Sequence, residues 1–95
     1  MSPALAPAAP VRHGETLTYD QLRERAALAF SKAEDRDGLT RTALAERLKV
    51  SLPTVSRALT ESGGRYANVQ RKIIADLTGY SVAEEPEFRV KRGEG

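Results

Sequence analysis

The 95-residue sequence contains no cysteine, no tryptophan and a single histidine. Without cysteine the chain forms neither a disulfide framework nor a cysteine-based zinc site. The one histidine, His13, lies in a polar stretch beside Gly14, where we expect a solvated side chain rather than a metal ligand or a catalytic base. Catalysis would have to rely on carboxylates, lysines or hydroxyl groups, and no companion motif accompanies them. We therefore expect neither an enzyme nor a bound metal or cofactor.

Long apolar segments are also missing from the sequence. No run approaches the roughly 20 apolar residues that a membrane-spanning helix needs. The start, MSPALAPAAPVRHGE, lacks a positive n-region and a continuous apolar h-region, which makes it a poor signal peptide. A chain of this length supports one domain with one modest core. We expect a soluble cytoplasmic protein.

The N-terminal segment differs in composition from the rest of the chain. Three prolines interrupt any helix within residues 1–16, and this Pro- and Ala-rich composition buries too little surface to offset the entropy of ordering. We expect residues 1–16 to form a flexible arm. A capping box over residues 18–21, with Thr18 as the N-cap, then predicts a first helix to about Glu34. An acidic turn ending in Gly38 follows it.

The stretch TRTALAERLKVSLPTVSRALT, residues 40–60, has the apolar spacing of two short helices joined by a tight turn. Thr40 is placed to cap the first helix and Ser51 to cap the second. Pro53 lies in the first turn of the second helix, where its missing N–H removes no helical hydrogen bond. The pattern therefore predicts a helix-turn-helix whose second helix covers about residues 52–61 and stops at a glycine pair.

The second of these helices has two distinct faces. Val55, Ala58 and Leu59 form its apolar face. The opposite face is short, hydroxylated and basic, which suits the major groove of DNA. Its members are Pro53, Ser56, Arg57 and Thr60, with Leu52 at the leading edge.

A further amphipathic helix is predicted from about Ala67 to Thr78. Tyr66 and Tyr80 flank it, and we expect them to pack against its ends. Residues 81–95 are interpreted as a C-terminal extension with a disordered tip, and either a dimer contact or a strand that covers the domain fits this segment. Within it, residues 88–90 alternate as a short strand does, with two apolar side chains on one face.

Positive charge is concentrated in the middle of the chain. Residues 41–72 hold seven Lys/Arg and two Asp/Glu, a net +5, whereas residues 1–40 have −1 and residues 73–95 have −2. The excess coincides with the predicted helix-turn-helix and the start of the following helix. Concentrated positive potential beside a groove-shaped helix favours phosphate binding.

Two segments resemble a known family. VSLPTVSRAL at 50–59 resembles the V-S-x-x-T-V-S-R-x-L core of the Lac-repressor-type headpiece, and RKIIADLTGY at 71–80 is similar to that family's third helix and its L-G-Y ending. The resemblance covers about residues 39–80 and implies the lambda-repressor-like superfamily, which includes Cro-like phage regulators. It implies an all-α domain of four to five helices over residues 17–80, with a central helix-turn-helix and a candidate short C-terminal strand.

The sequence departs from the family pattern at two places. Lys49 occupies the turn position usually held by glycine, so we expect a non-glycine residue with positive φ, which is uncommon. The first two positions of the second helix, which in the family face the DNA groove, are Leu52 and Pro53, whose side chains form no hydrogen bonds. Arg57 is then the main candidate for a hydrogen-bonded base contact, since a guanidinium binds guanine O6 and N7 together.

The implied function is that of a transcriptional regulator of the repressor type. We expect it to bind a palindromic operator in double-stranded DNA as a homodimer and to be nucleoid-associated. We expect base contacts from Leu52, Pro53, Ser56 and Arg57. Expected phosphate contacts come from hydroxyl and basic side chains around the two helices, namely Thr40, Arg41, Thr42, Lys49, Ser51, Thr54, Thr60, Arg65, Arg71 and Lys72. The alternative is an antitoxin or adaptor-type helical domain that acts mainly through protein–protein binding.

Overall fold

A computed structural model describes residues 11–84 and 88–92. In chain order the elements are β1 (Thr16–Leu17), α1 (Tyr19–Asp37), α2 (Arg41–Leu48), α3 (Leu52–Thr60), α4 (Gly64–Thr78), β2 (Tyr80–Glu84) and β3 (Phe88–Arg92). The chain is therefore mostly helical, with a small three-stranded sheet. Four helices agree with the expected number, but the all-α expectation is corrected by the sheet, which is larger than one short C-terminal strand.

Helix α1 begins at the predicted capping box. Thr18 Oγ1 accepts a hydrogen bond from Gln21 N over 3.2 Å, and Gln21 Oε1 accepts one from Thr18 N over 2.9 Å. The helix continues to Asp37, beyond the predicted end near Glu34, so the acidic segment before Gly38 is helical and not a turn. Gly38, with φ 70°, ends it in the left-handed region that glycine enters without steric cost.

The two short helices predicted within residues 40–60 are present, with both hydroxyl caps in place. Thr40 Oγ1 accepts from Ala43 N over 3.1 Å at the start of α2, and Ser51 Oγ accepts from Thr54 N over 3.3 Å at the start of α3. Between them Lys49 has φ 61°, which confirms the expected positive φ at this non-glycine position.

Helix α4 begins earlier than the sequence predicted. It starts at Gly64 rather than Ala67. Of the glycine pair, Gly63 therefore lies in the turn between α3 and α4, and Gly64 is the first residue of α4. Gly63 has φ 111° and ψ 170°, a conformation almost restricted to glycine. Gly79, with φ 80°, ends α4 at the predicted position.

The sheet has the strand order β1-β3-β2, and both pairings are antiparallel. Leu17 pairs with Phe88, and Val82 pairs with Val90. All four of these side chains are buried, so one face of the sheet covers the helical core. The C-terminal extension therefore contributes two strands to the packed structure. Its predicted disordered tip was RGEG, residues 92–95; Arg92 belongs to β3 instead, and residues 93–95 lie outside the described residues.

A single hydrophobic cluster joins the helices and the sheet, with Leu22, Leu44, Val55 and Ile73 fully buried at its centre. Val11 also belongs to this cluster and is only 1% exposed. Residues 11–16 are therefore packed against the domain, unlike the predicted flexible arm, whose residues 1–10 lie outside the described part. One valine in a Pro-rich segment shows no periodicity, so no pattern in the sequence indicated this packing. Among the described helices, none has the length and apolar character needed to cross a membrane.

Candidate nucleic-acid interface

The predicted base-contact residues share the outer face of α3. Leu52, Pro53 and Arg57 are exposed and Ser56 is half-buried at the edge of this face. The opposite side of the helix is anchored in the core through its buried valine, alanine and leucine. An exposed leucine at the first position of α3, 43% accessible, gives the leading end of this face an apolar surface.

A shallow cleft separates this face from α1 and the start of α2. It is lined by Phe30, Glu34, Thr40, Arg41, Thr42, Leu52 and Ser56. The guanidinium carbon of Arg41 lies 5.9 Å from the centroid of the Phe30 ring, within the range of a cation–π contact. The structure thus brings together three of the predicted phosphate-contact residues and two of the predicted base-contact residues.

The hydroxyl groups at the helix starts already take part in local hydrogen bonds. Ser51 Oγ and Thr54 Oγ1 lie 2.8 Å apart and share one hydrogen bond, while Ser51 also caps α3. A hydroxyl can accept from a backbone N–H and still donate its own proton. The cap at Thr40 therefore leaves that proton available for a phosphate oxygen.

Thr60 differs from the other hydroxyl residues. Its Oγ1 donates to the carbonyl oxygen of Ser56 over 3.1 Å. Because a hydroxyl has one proton, this bond leaves Thr60 without a donor for a phosphate in this conformation.

Arg57 is the basic side chain of the α3 face, and its guanidinium is fully exposed. The neighbouring Tyr66 side chain is the largest influence that raises the pKa of Arg57 above its usual range, followed by the electrostatic attraction of Glu61. The side chain therefore remains a protonated donor.

The basic residues between 41 and 72 are not equivalent. Arg41, Lys49, Arg65 and Lys72 are exposed. Arg71 is half-buried instead, and its Nε donates to the carbonyl oxygen of Val82 over 2.8 Å.

Arg47 also takes part in a contact between helices. Its Nη2 lies 2.8 Å from Asp76 Oδ2, which joins α2 to α4. Arg47, one of the basic residues between 41 and 72, therefore takes part in packing α2 against α4.

Sequence reasoning overlooked Gln70, which is fully buried in α4. Its Nε2 donates to the carbonyl oxygens of Ala58 and Glu61, both over 2.8 Å, while its Oε1 accepts no hydrogen bond from the described residues. A signal was present, because Gln70 lies on the same face as Ala67 and Ile74, where an apolar residue is expected. Tyr66 is half-buried and packs against the hydrophobic cluster, in agreement with the packing role expected from the sequence.

Among residues 11–84 and 88–92, no three His, Cys, Asp or Glu side chains come close enough together to hold a metal ion. No protein-family model, curated protein or solved structure matches the chain. The features that indicate a function are therefore the geometry of α2 and α3, the charge around them and the sequence resemblance.

Proposed function

We propose that the protein is a sequence-specific, double-stranded DNA-binding transcriptional regulator of the repressor type, with a lambda-repressor-like arrangement of its helices. Helix α3 lies in the major groove, and α2 crosses the DNA backbone. The observation that supports this most directly is the outer face of α3, which combines Leu52, Pro53, Ser56 and Arg57 beside two helix starts.

The dimensions of α3 suit this role. An α-helix with its side chains is about 10–12 Å in diameter, which fits a major groove about 12 Å wide. The N-terminus of α3 with its exposed leucine and proline enters the groove first, where these side chains contact thymine methyl groups. Arg57, which lies more than one turn further along, donates two hydrogen bonds to a guanine.

Phosphate binding is assigned to the start of α2 and to the exposed cations. The N–H groups at a helix start and its positive dipole end attract a phosphate, and Thr40 and Arg41 are placed at this point. Lys49, Arg65 and Lys72 add positive charge. With about four phosphates neutralised by each protomer, the logarithm of the association constant falls with the logarithm of salt concentration with a slope of roughly −3 to −4 per protomer, and about twice that for a dimer on both half-sites.

One α3 helix contacts only a few base pairs, so the proposal includes a homodimer on a palindromic operator. The two half-sites then lie about 34 Å apart, one turn of DNA. This spacing places both α3 helices on the same side of the duplex.

Selection of preferred sites from random DNA tests the proposal. The expected result is one enriched palindromic sequence, which the protein still prefers over random competitor DNA at about 0.15 M salt, where exposed charges are screened beyond about 8 Å. The matched control variants are Arg57→Ala on the α3 face and Arg36→Ala at the end of α1, where Arg36 pairs with Asp37. Loss of preference is expected only for Arg57→Ala.

Two outcomes contradict the proposal. If no sequence is enriched and raised salt abolishes all binding, the regulator function fails and the protein-binding alternative is favoured. If Arg36→Ala lowers cognate affinity as much as Arg57→Ala does, the interface is not on α3.

A further inference from the structure

One face of α1 is turned to solvent and has an apolar side chain at its centre. The other side of the helix packs into the core through Leu22, Ala26, Ala29, Phe30 and Ala33. Leu28, on the solvent side, is 42% exposed. It lies at the midpoint of α1, equally distant along the chain from Tyr19 and Asp37. A single exposed leucine is ordinary, but the charges around this one are arranged symmetrically.

Leu28 divides the charges of this face by sign. Asp20 and Glu24 precede it by eight and four residues, about two turns and one turn. Lys32 and Arg36 follow it at the same intervals. Each half therefore places like charges four residues apart, which destabilises a helix in isolation. The helix dipole favours this order of signs only within the first and last turns, so it does not explain Glu24 and Lys32.

Local ion pairs leave much of this charge uncompensated. Asp20 and Lys32 form no ion pair with the other described residues. Glu24 Oε2 lies 3.9 Å from Arg23 Nη2, a long distance for an ion pair. Arg36 Nε pairs with the following aspartate over 3.0 Å and keeps its other guanidinium N–H groups as donors. The face thus presents acids at one end and bases at the other.

We propose that the outer face of α1 is the homodimer interface, in which α1 packs antiparallel against α1 of a second copy. The two-fold axis passes beside Leu28, so this leucine contacts its own counterpart. In such an interface residue i contacts residue j and j contacts i. Glu24 therefore faces Lys32 of the second copy, and Asp20 faces Arg36 of the second copy. The inference rests on the homodimer of the proposed function and assigns its surface.

Charge complementarity selects this arrangement among the alternatives. A parallel pair of α1 helices would set each charge against its own counterpart. An antiparallel pair shifted by one turn would set Leu28 against a charge and keep only one of the two kinds of ion pair. With the axis at Leu28, every opposed charge on these four positions has the opposite sign, and complementary charges fix the register of an interface.

This contact leaves the proposed DNA surface free. The cleft beside α3 is lined on α1 by Phe30 and Glu34, which lie on other sides of the helix than Leu28. The dimer contact itself is small, with one leucine from each copy and ion pairs exposed to solvent. Such ion pairs contribute little each, so the free dimer is weak. Binding to two adjacent half-sites raises the effective concentration of the two copies and favours the dimer on DNA.

Charge reversal with rescue tests the register. Glu24→Lys and Lys32→Glu each turn two attractions into two repulsions. Sedimentation velocity of the full chain without DNA, at about 0.05 M salt where screening is weak, should show each variant associating at least roughly 10-fold more weakly than the wild type. An equimolar mixture of the two variants should regain wild-type affinity, because the heterodimer opposes unlike charges again.

Glu46→Lys and Lys91→Glu are the matched controls. Both residues are exposed, they lie in α2 and β3, and the substitutions change the net charge by the same amounts. Each control should associate as the wild type does. A general effect of net charge would change the controls and the test variants alike.

Cysteine cross-linking locates the axis independently. The chain contains no cysteine, so Leu28→Cys introduces one thiol, which lies beside the thiol of the second copy. In a glutathione redox buffer the disulfide-linked dimer should be the main species. Ser81→Cys is the control, because Ser81 is exposed in β2, within the C-terminal extension. It should remain mostly monomeric.

The outcomes separate this inference from the proposed function. A wild type that stays monomeric at low salt, a mixture without rescue, or stronger cross-linking through Ser81→Cys overturns the α1 interface. Sequence-specific DNA binding then still stands, because these measurements contain no DNA. A wild type without any sequence preference overturns the proposed function, while rescue in the mixture would still establish the contact between two α1 helices.

Discussion

The Nε of Arg71 donates a hydrogen bond to the carbonyl oxygen of Val82 over 2.8 Å. Val90 pairs with Val82 in the neighbouring strand. The Val90 N–H donates to the carbonyl oxygen of Glu15 over 2.8 Å, and the Val90 carbonyl oxygen accepts from Gly14 N over 2.8 Å, so both polar groups of Val90 point toward β1. In an antiparallel ladder this makes Val82–Val90 a pair without mutual hydrogen bonds, so the polar groups of Val82 point to the outer edge of β2. Arg71 therefore covers part of an otherwise open sheet edge.

The first prediction follows from this contact. Arg71→Met should lower the free energy of unfolding by about 1 kcal/mol, because the Val82 carbonyl loses its donor. It should leave the salt dependence of DNA binding nearly unchanged. Urea unfolding and DNA titrations at several salt concentrations measure the two effects.

Lys72→Met is the control for Arg71→Met, since Lys72 is exposed on the next position of α4. It should change stability little and reduce the magnitude of the salt slope by about 1 if this side chain neutralises a phosphate. The opposite pattern in the two variants would restore Arg71 as a phosphate contact.

The second prediction concerns Lys49 and its φ of 61°. A residue with a Cβ in the left-handed region has a steric cost of roughly 1–2 kcal/mol, whereas glycine has none there. Glycine also gives the unfolded chain more entropy, which offsets about 0.5–1 kcal/mol. Lys49→Gly should therefore stabilise the protein by about 0.5–1 kcal/mol in urea unfolding.

Lys49→Ala serves as the control for the loss of charge at this turn. It keeps a Cβ and therefore keeps the strain, so its stability should stay close to that of the wild type. An equal gain in Lys49→Ala would attribute the effect to charge instead of backbone conformation.

The third prediction concerns Arg57 as a base contact. Arg57→Ala should weaken cognate binding roughly 5- to 150-fold and relax the preference at one base pair of each half-site. Fluorescence anisotropy with single-base-pair variants of the selected site measures both. Equal losses on cognate and random DNA would exclude the base contact and leave a phosphate contact.

The fourth prediction tests the packing of Val11, which is 1% exposed. Val11→Ala removes the equivalent of two buried methylene groups at about 0.8 kcal/mol each, so the free energy of unfolding should fall by about 1.5 kcal/mol. Arg12→Ala changes an exposed neighbour and should stay within about 0.5 kcal/mol of the wild type. No loss of stability in Val11→Ala would return residues 11–16 to the predicted arm.

Predictions of the helices succeeded where the determining contacts are local. The caps at Thr18, Thr40 and Ser51 each involve residues three positions apart, and the same spacing is visible in the sequence. The start of α4 was missed because a glycine pair usually ends structure, yet here Gly64 is helical and only Gly63 adopts positive φ.

In the candidate site, too, the local features were predictable and the contacts between elements were not. The outer face of α3 follows from helical periodicity, so the spacing of its apolar residues is enough to identify the exposed ones. The partners of Arg71 and Gln70 do not follow from spacing, because each contact joins two elements whose relative position is not encoded locally.

Within the described residues, the presence of four helices, the N-caps of the first three and the exposed face of α3 follow from the sequence alone, since they depend on interactions over a few residues. The positive φ at Lys49 was expected from the family resemblance. The pairing of β1 with β3, about 70 residues away along the chain, and the burial of Val11 required the tertiary structure. So did the finding that Arg71 covers a sheet edge. These contacts depend on how the helices pack, because long-range pairing leaves no periodic trace in a single sequence.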